Sequence, residues 1–165
     1  LDRIDVYQLH VPDPVVPFDA SIETLANMQS EGKIRLIALS NVTVEHIERA
    51  RKIVPIVSVQ NRYSFADREW DNVVDYCERN GIAFIPWFPL GAGTVAGRLL
   101  EKIAKARQVK PIQIALAWLL KRSPIMVPIP GTSSLAHLEE NMQAASLQLT
   151  DKEYMDLTGI TELAS

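Results

Sequence analysis

Cysteine is almost missing from this sequence. Cys77 stands alone, so no internal disulfide can close, which suits a reducing cytosol. Its helical spacing with Trp70, Val73 and Val74 marks it as a core thiol rather than a reactive one. Runs of a single charge sign are missing as well. A formal net charge of -3, with both signs scattered, leaves no basic face for nucleic acid and no polybasic stretch for a membrane. No apolar run is long enough to span a bilayer, and with the lone cysteine suiting a reducing cytosol a cytoplasmic protein is expected. The three histidines and Cys77 lack ligand spacing, and no metal site is expected. No low-complexity tract or linker interrupts the order, so one domain over residues 1–165 is the default.

What is present is an ordinary globular composition, 47% hydrophobic and 22% charged, arranged as apolar runs alternating with amphipathic segments. Residues 4–10 read as a buried strand that delivers His10 to a Pro-rich loop at a sheet's C-terminal edge. Leu1 begins almost inside that strand, without an initiator methionine, so the chain is expected to be part of something longer. Residues 21–31 predict a helix with Ile22, Leu25, Ala26 and Met28 on one face, Asp19 as its N-cap and Gly32 as its stop. A second strand over 34–39 ends at Ser40 and Asn41. Thr43 caps a short helix with Val44, Ile47 and Ala50 facing inward, and His46 reads as a solvated neighbour of Glu45 and Glu48. A third strand over 56–59 ends at Gln60 and Asn61.

The next helix carries Trp70, Val73, Val74 and Cys77 and closes at Asn80 and Gly81. A fourth strand is expected over 82–88, followed by a flexible loop over 89–93 and a short basic helix over 98–108. Pro111 suits the first turn of a helix through Arg122 with Ile112, Ala115, Leu116 and Leu119 inward. A fifth strand is expected over 125–129, then a helix with Leu135, Leu138, Met142 and Ala145 on one face. Thr150 and Glu153 have capping-box spacing for a last helix from Asp151 to about Leu157. Five strands alternating with helices predict a parallel sheet, either an open doubly wound sheet or part of a closed (β/α)8 barrel.

Parallel strands linked by right-handed crossovers bring their C-terminal ends to one rim. His10, Ser40 with Asn41, Gln60 with Asn61, and Trp87 should therefore converge. An ionisable ring, a hydroxyl, amides and an indole face suit a planar, amide-bearing ring such as nicotinamide. The helix start after Gly131, Thr132, Ser133 and Ser134 offers hydroxyls and backbone N–H groups suited to phosphate. Each of these segments also has a plainer reading as a turn, a cap or a core filler, as Trp70 and Trp118 have on their helix faces. Arg62 and Tyr63 read as structural or surface residues, and Lys102, Lys105, Arg107 and Lys110 as a solvated face.

Five segments, LDRIDVYQLH, GKIRLIALSN, VSVQNRYS, WFPLGAG and VPIPGTSSLAHLEEN, occur in the order and spacing of the aldo-keto reductases, which the chain resembles over essentially its whole length. The resemblance implies an α/β fold, a partial (β/α)8 TIM barrel comprising strands four to eight with their helices. It implies an NAD(P)H-dependent oxidoreductase that reduces carbonyls of aldehydes or ketones to alcohols. His10 matches the active-site histidine beside a tyrosine acid. Ser40, Asn41 and Gln60 match the side chains that hold the nicotinamide carboxamide, and Trp87 the aromatic that stacks on the ring. Phe88, Pro89, Leu90 and Gly91 resemble the segment beside the pyrophosphate. Gly131, Thr132, Ser133, Ser134 and His137 fall in the phosphate-reading loop and helix, and Glu140 and Asn141 match the pair that contacts adenine.

NADP(H) is implied as the cofactor. Because no Lys or Arg stands between Pro128 and Glu139, NAD(H) stays open. The family's catalytic Tyr, Lys and Asp lie on segments before strand four, so the chain alone is expected to be inactive. A small carbonyl substrate is the expected partner, together with self-association or the missing N-terminal half. The rival reading is a non-catalytic nucleotide-binding or regulatory half-barrel, similar to channel-associated β subunits of this fold, that assembles with another chain.

Overall fold

The computed structural model describes residues 2–89 and 94–159. Their contacts divide into two compact units, one formed by residues 1–61 with 70–85 and the other by residues 62–69 with 86–165.

The first unit alternates strand and helix: β1 (Ile4–Leu9), α1 (Phe18–Ser30), β2 (Ile34–Ser40), α2 (Val44–Arg51), β3 (Ile56–Gln60), α3 (Asp71–Arg79) and β4 (Ala83–Phe84). The strands form one parallel sheet in the order β1-β2-β3-β4. Every strand-to-strand connection contains a helix, as parallel neighbours require. Leu39, Val59 and Phe84 stand abreast on one face and are fully buried. Because side chains alternate along a strand, Gln8, Ala38, Ser40, Ser58 and Gln60 fall on the opposite face. The helices add Phe18, Ile22, Leu25, Ile47, Ala50, Val73, Val74 and Cys77 to the core.

Four local expectations change. In these 165 residues taken by themselves β1 pairs with β2 alone, and Ile4 (45%), Val6 (49%) and Tyr7 (39%) are exposed where the apolar run suggests burial. α1 begins at Phe18 with Pro17 at the N-cap position, and Asp19 sits in the first turn, where it pairs with Arg49 at 3.1 Å. Met28, expected inward, is exposed. His46 is half-buried rather than solvated. Its Nδ1 accepts from the Thr43 backbone N–H at 3.3 Å and its ring lies 4.8 Å from that of Phe18.

The second unit contains α4 (Thr94–Arg107), α5 (Pro111–Arg122), α6 (Leu135–Gln143), a 3-10 turn (Ala144–Ser146) and α7 (Asp151–Gly159). α5 is its centre: every residue from Gln113 to Leu119 is buried, and α4, α6 and α7 pack on it. Trp118 fills the middle as expected, 5.8 Å from the Tyr154 ring and 6.1 Å from Tyr63, with its Nε1 donating to Thr158 Oγ1 at 3.0 Å. Arg107, expected to be solvated, instead bonds Glu153 on α7 at 2.7 Å.

The fifth strand does not form. Residues 125–129 contain only an isolated bridge at Met126, and Pro124, Pro128 and Pro130 withhold three backbone donors from any ladder. The fourth strand is likewise shorter than its apolar run of residues 82–88, although Trp87 makes an isolated parallel bridge with Arg62.

Candidate cofactor site

The residues singled out by sequence fall into three groups. The first lies at the strand ends of the sheet unit. Ser40 and Gln60 are register partners at the ends of β2 and β3. The Gln60 carbonyl accepts from the Asn41 backbone N–H at 2.9 Å and from Ser40 Oγ at 2.8 Å. Asn41, held at φ 55, donates from Nδ2 to the His10 carbonyl at 2.9 Å and to Ser40 Oγ at 3.1 Å. The left-handed backbone suits asparagine and turns the chain away from the strand, so its amide reaches sideways to β1's end. The Ser40 and Asn41 side chains thus meet the main-chain carbonyls of Gln60 and His10 at these strand ends, with Ser40 buried, Asn41 and Gln60 half-buried and His10 exposed.

Asn61 is distinct from its neighbour. It is wholly buried and exchanges two hydrogen bonds with Val42, accepting from its N–H at 3.1 Å and donating to its carbonyl at 2.8 Å. That pairing joins the loops after β2 and β3, which fixes where Asn41 and Gln60 stand. Gln8 was not singled out by sequence, yet its Nε2 donates to Gln60 Oε1 at 2.6 Å. Its signal was available: it lies two residues before His10, hence on the same side of β1.

The second group surrounds Trp87, which is half-buried. The Arg62 guanidinium lies 5.9 Å from the Trp87 ring centre and 5.3 Å from that of Phe88, within cation–π range, and Arg62 Nε bonds Asp67 at 2.7 Å. Phe88 is 47% exposed at φ 55, a strained position for an aromatic residue. Pro89 is buried, and Leu90 and Gly91 lie outside the described residues. Sequence reading gave Arg62 a structural or surface role; the contact to Trp87 depends on a loop conformation that spacing does not encode.

The third group runs along the start of α6. Thr132 Oγ1 accepts from the Ser134 N–H at 3.1 Å, and Ser134 caps the helix by accepting from the His137 N–H at 3.5 Å. Gly131, Thr132, Ser133 and His137 are exposed, and Glu140 is half-buried. Asn141 is buried, and its Oδ1 has no hydrogen-bond partner. A buried amide oxygen left unpaired costs about 1–3 kcal/mol, so it marks a place where a donor fits. Asn141 lines a groove of about 250 Å³ with Leu116, Leu120, Pro128, Pro130, Leu138 and Met142. The apolar face expected for this helix is thus present but open: Leu135 is 80% and Met142 67% exposed.

Each unit taken by itself offers groups chemically compatible with part of a nicotinamide dinucleotide: amides and a hydroxyl at the strand ends of the first, and in the second two aromatic rings against Arg62 and an unpaired acceptor beside an apolar groove. Among the described residues no cluster of His, Cys, Asp or Glu is built to hold a metal. No helix among them is long and apolar enough to cross a membrane.

The family profile of the aldo/keto reductases matches residues 1–162, and the chain belongs to that family. Among its relatives, an uncharacterized oxidoreductase of Schizosaccharomyces pombe is 46% identical over 157 residues, covering 94% of this chain and 51% of the relative. Pyridoxine 4-dehydrogenase of Escherichia coli is 45% identical over 168 residues, covering 98% and 59%. A thermostable aldo-keto reductase solved with the inhibitor epalrestat superposes with a TM-score of 0.89 at 31% identity, covering 96% of this chain and 60% of the other. An aldo/keto reductase from Klebsiella pneumoniae, in complex with NADP and acetate, gives 0.84 at 25%, covering 97% and 59%. The chain therefore spans about half to three-fifths of the length of these relatives. Its fold is the TIM-barrel-like α/β fold of the family, with a parallel sheet.

Proposed function

We propose that this chain supplies the cofactor-binding part of an NAD(P)H-dependent oxidoreductase acting on the carbonyl of an aldehyde or ketone. The observation that carries the reading is the hydrogen-bonded set at the strand ends, in which Ser40, Asn41 and Gln60 gather beside His10. In this reading β1 to β4 correspond to barrel strands four to seven, and residues 125–129 take the place of strand eight. Ser40, Asn41 and Gln60 hold the carboxamide, Trp87 stacks on the nicotinamide, and residues 88–91 border the pyrophosphate. The loop from Gly131 to Ser134, with His137, faces the adenosine phosphates, and Glu140 and Asn141 address adenine.

When bound, the cofactor supplies the hydride. His10 stands at the rim to hold the substrate carbonyl, and the proton comes from a tyrosine with its Lys and Asp partners on segments preceding those matched here. Support comes from the Klebsiella enzyme's complex with NADP and from the dehydrogenase name of the Escherichia relative. NADP(H) is the favoured cofactor; exposed His137 and the loop hydroxyls, without a Lys or Arg, leave room for NAD(H).

Fluorescence titration of the full-length protein with NADPH and NADH tests the proposal, alongside cofactor oxidation on adding aldehydes or ketones. Gln60→Ala is expected to weaken NADPH binding by about 1 kcal/mol through the lost carboxamide bond. Affinity equal to wild type would remove the carboxamide role from Gln60, and failure to bind either cofactor would remove the proposal itself.

A further inference from the structure

The geometry points to Arg62 as a positioning residue: we infer that it holds the Trp87 ring by one face so that the opposite face receives the nicotinamide. The inference rests on the reading of Trp87 given above. Arg62 and Trp87 are bridge partners, and the Tyr63 N–H donates to the Trp87 carbonyl at 3.2 Å, so the two segments are tied through the main chain. The guanidinium lies over the indole 5.9 Å from its ring centre, within the range of a cation–π contact. Asp67 braces it from the other side, Oδ2 pairing with Arg62 Nε at 2.7 Å. The main chains of Ser64 and Asp67 exchange hydrogen bonds at 3.0 and 3.2 Å, and that tight turn brings the carboxylate back to Arg62.

Consecutive residues of a strand point to opposite sides, so Trp87 and Phe88 would not share a neighbour in extended chain. They do share one, because the same guanidinium lies 5.3 Å from the Phe88 ring centre. The left-handed backbone of Phe88, at φ 55, takes the chain out of the extended conformation, and both rings then meet Arg62. A backbone conformation that is costly for an aromatic residue is thus kept where it closes one cation between two rings. A planar guanidinium held by a carboxylate and two aromatic rings has little freedom left, and the indole resting on it is restrained in turn. A ring restrained before the cofactor arrives loses less freedom on stacking, and that saving is the contribution assigned to Arg62.

The test uses the full-length protein and five variants: R62M, which keeps the length and removes the cation; R62Q, which also removes the cation and replaces R62M in every comparison if that variant does not fold; R62K, which restores a cation; W87L; and the R62M/W87L double variant. Affinity is measured for NADPH and for the adenosine bisphosphate half of the cofactor, which lacks the nicotinamide. R62M and R62Q are expected to weaken NADPH roughly three- to ten-fold while leaving the fragment unchanged, and R62K to recover part of that loss. R62M should have no further effect once Trp87 is replaced, as a residue acting through Trp87 requires. If W87L weakens NADPH while R62M leaves it unchanged or tightens it, the positioning role is overturned and the assignment of Trp87 survives. If W87L binds NADPH as tightly as wild type, the assignment falls and the positioning role with it. Loss of fragment affinity in R62M, no recovery in R62K, or full additivity in the double variant would make Arg62 a general structural residue and overturn the inference.

Discussion

Gln60 and Asn61 are neighbours with the same functional group, and burial separates their tasks. Gln60 is half-buried at the rim, whereas the Asn61 amide is spent on the N–H and C=O of Val42. Asn61→Leu should strand both of those buried main-chain groups, at about 1–3 kcal/mol each, and lower the urea midpoint accordingly. Their shared position after a β-run was legible; which one faced the rim followed from strand alternation only once β3 was known to include Gln60. Glu153 is a second case. The Arg107 guanidinium, with help from Thr150, holds its carboxyl down at about 2, below the ordinary 4.5. A carboxyl whose pKa is depressed by folding stabilises the native state above its ordinary value, and that stability is lost as pH falls toward the folded one. Thermal melts should therefore show a loss between about pH 4.5 and pH 2 that Glu153→Gln, already weaker at neutral pH, largely lacks. The capping box of Thr150 and Glu153 was visible in the sequence; the ion pair across to α4 was not, because it joins residues 46 apart.

At the scale of elements, spacing identified helices more securely than strands. Thr43 was expected to start α2 and does, its Oγ1 accepting from the His46 N–H at 3.3 Å while the imidazole accepts in return from Thr43. Thr43→Ala should destabilise the protein by about 1 kcal/mol, measured by chemical denaturation, since an N-cap hydroxyl is lost without disturbing the core. His46 did not show its role in advance, because the reciprocal partner is ordinarily Glu or Gln. Strands proved less readable. The apolar run of residues 125–129 has strand composition, but its flanking and internal prolines leave no continuous ladder. α6 shows the converse: its apolar stripe was read correctly, yet the stripe lines an open groove and the buried polar residue Asn141 is the more informative one.

At the scale of the whole sheet, these 165 residues by themselves leave Ile4, Val6 and Tyr7 of β1 exposed beside a strand that pairs with β2 alone, a surface that favours further strand pairing. The chain of these 165 residues alone is expected to self-associate, and light scattering coupled to size exclusion should show species above 18.4 kDa that grow with concentration. A monomer at all concentrations would contradict this. The sequence by itself determined the alternation of strand and helix, the core faces of the helices, and the family, because hydrophobic period, caps and collinear motifs are local properties. Tertiary structure alone decided that residues 125–129 are not a strand, that the Arg62 guanidinium lies against Trp87, and that the Asn61 amide turns to Val42. Those outcomes depend on which segments become neighbours and on the space between them, and a single strand's composition carries neither.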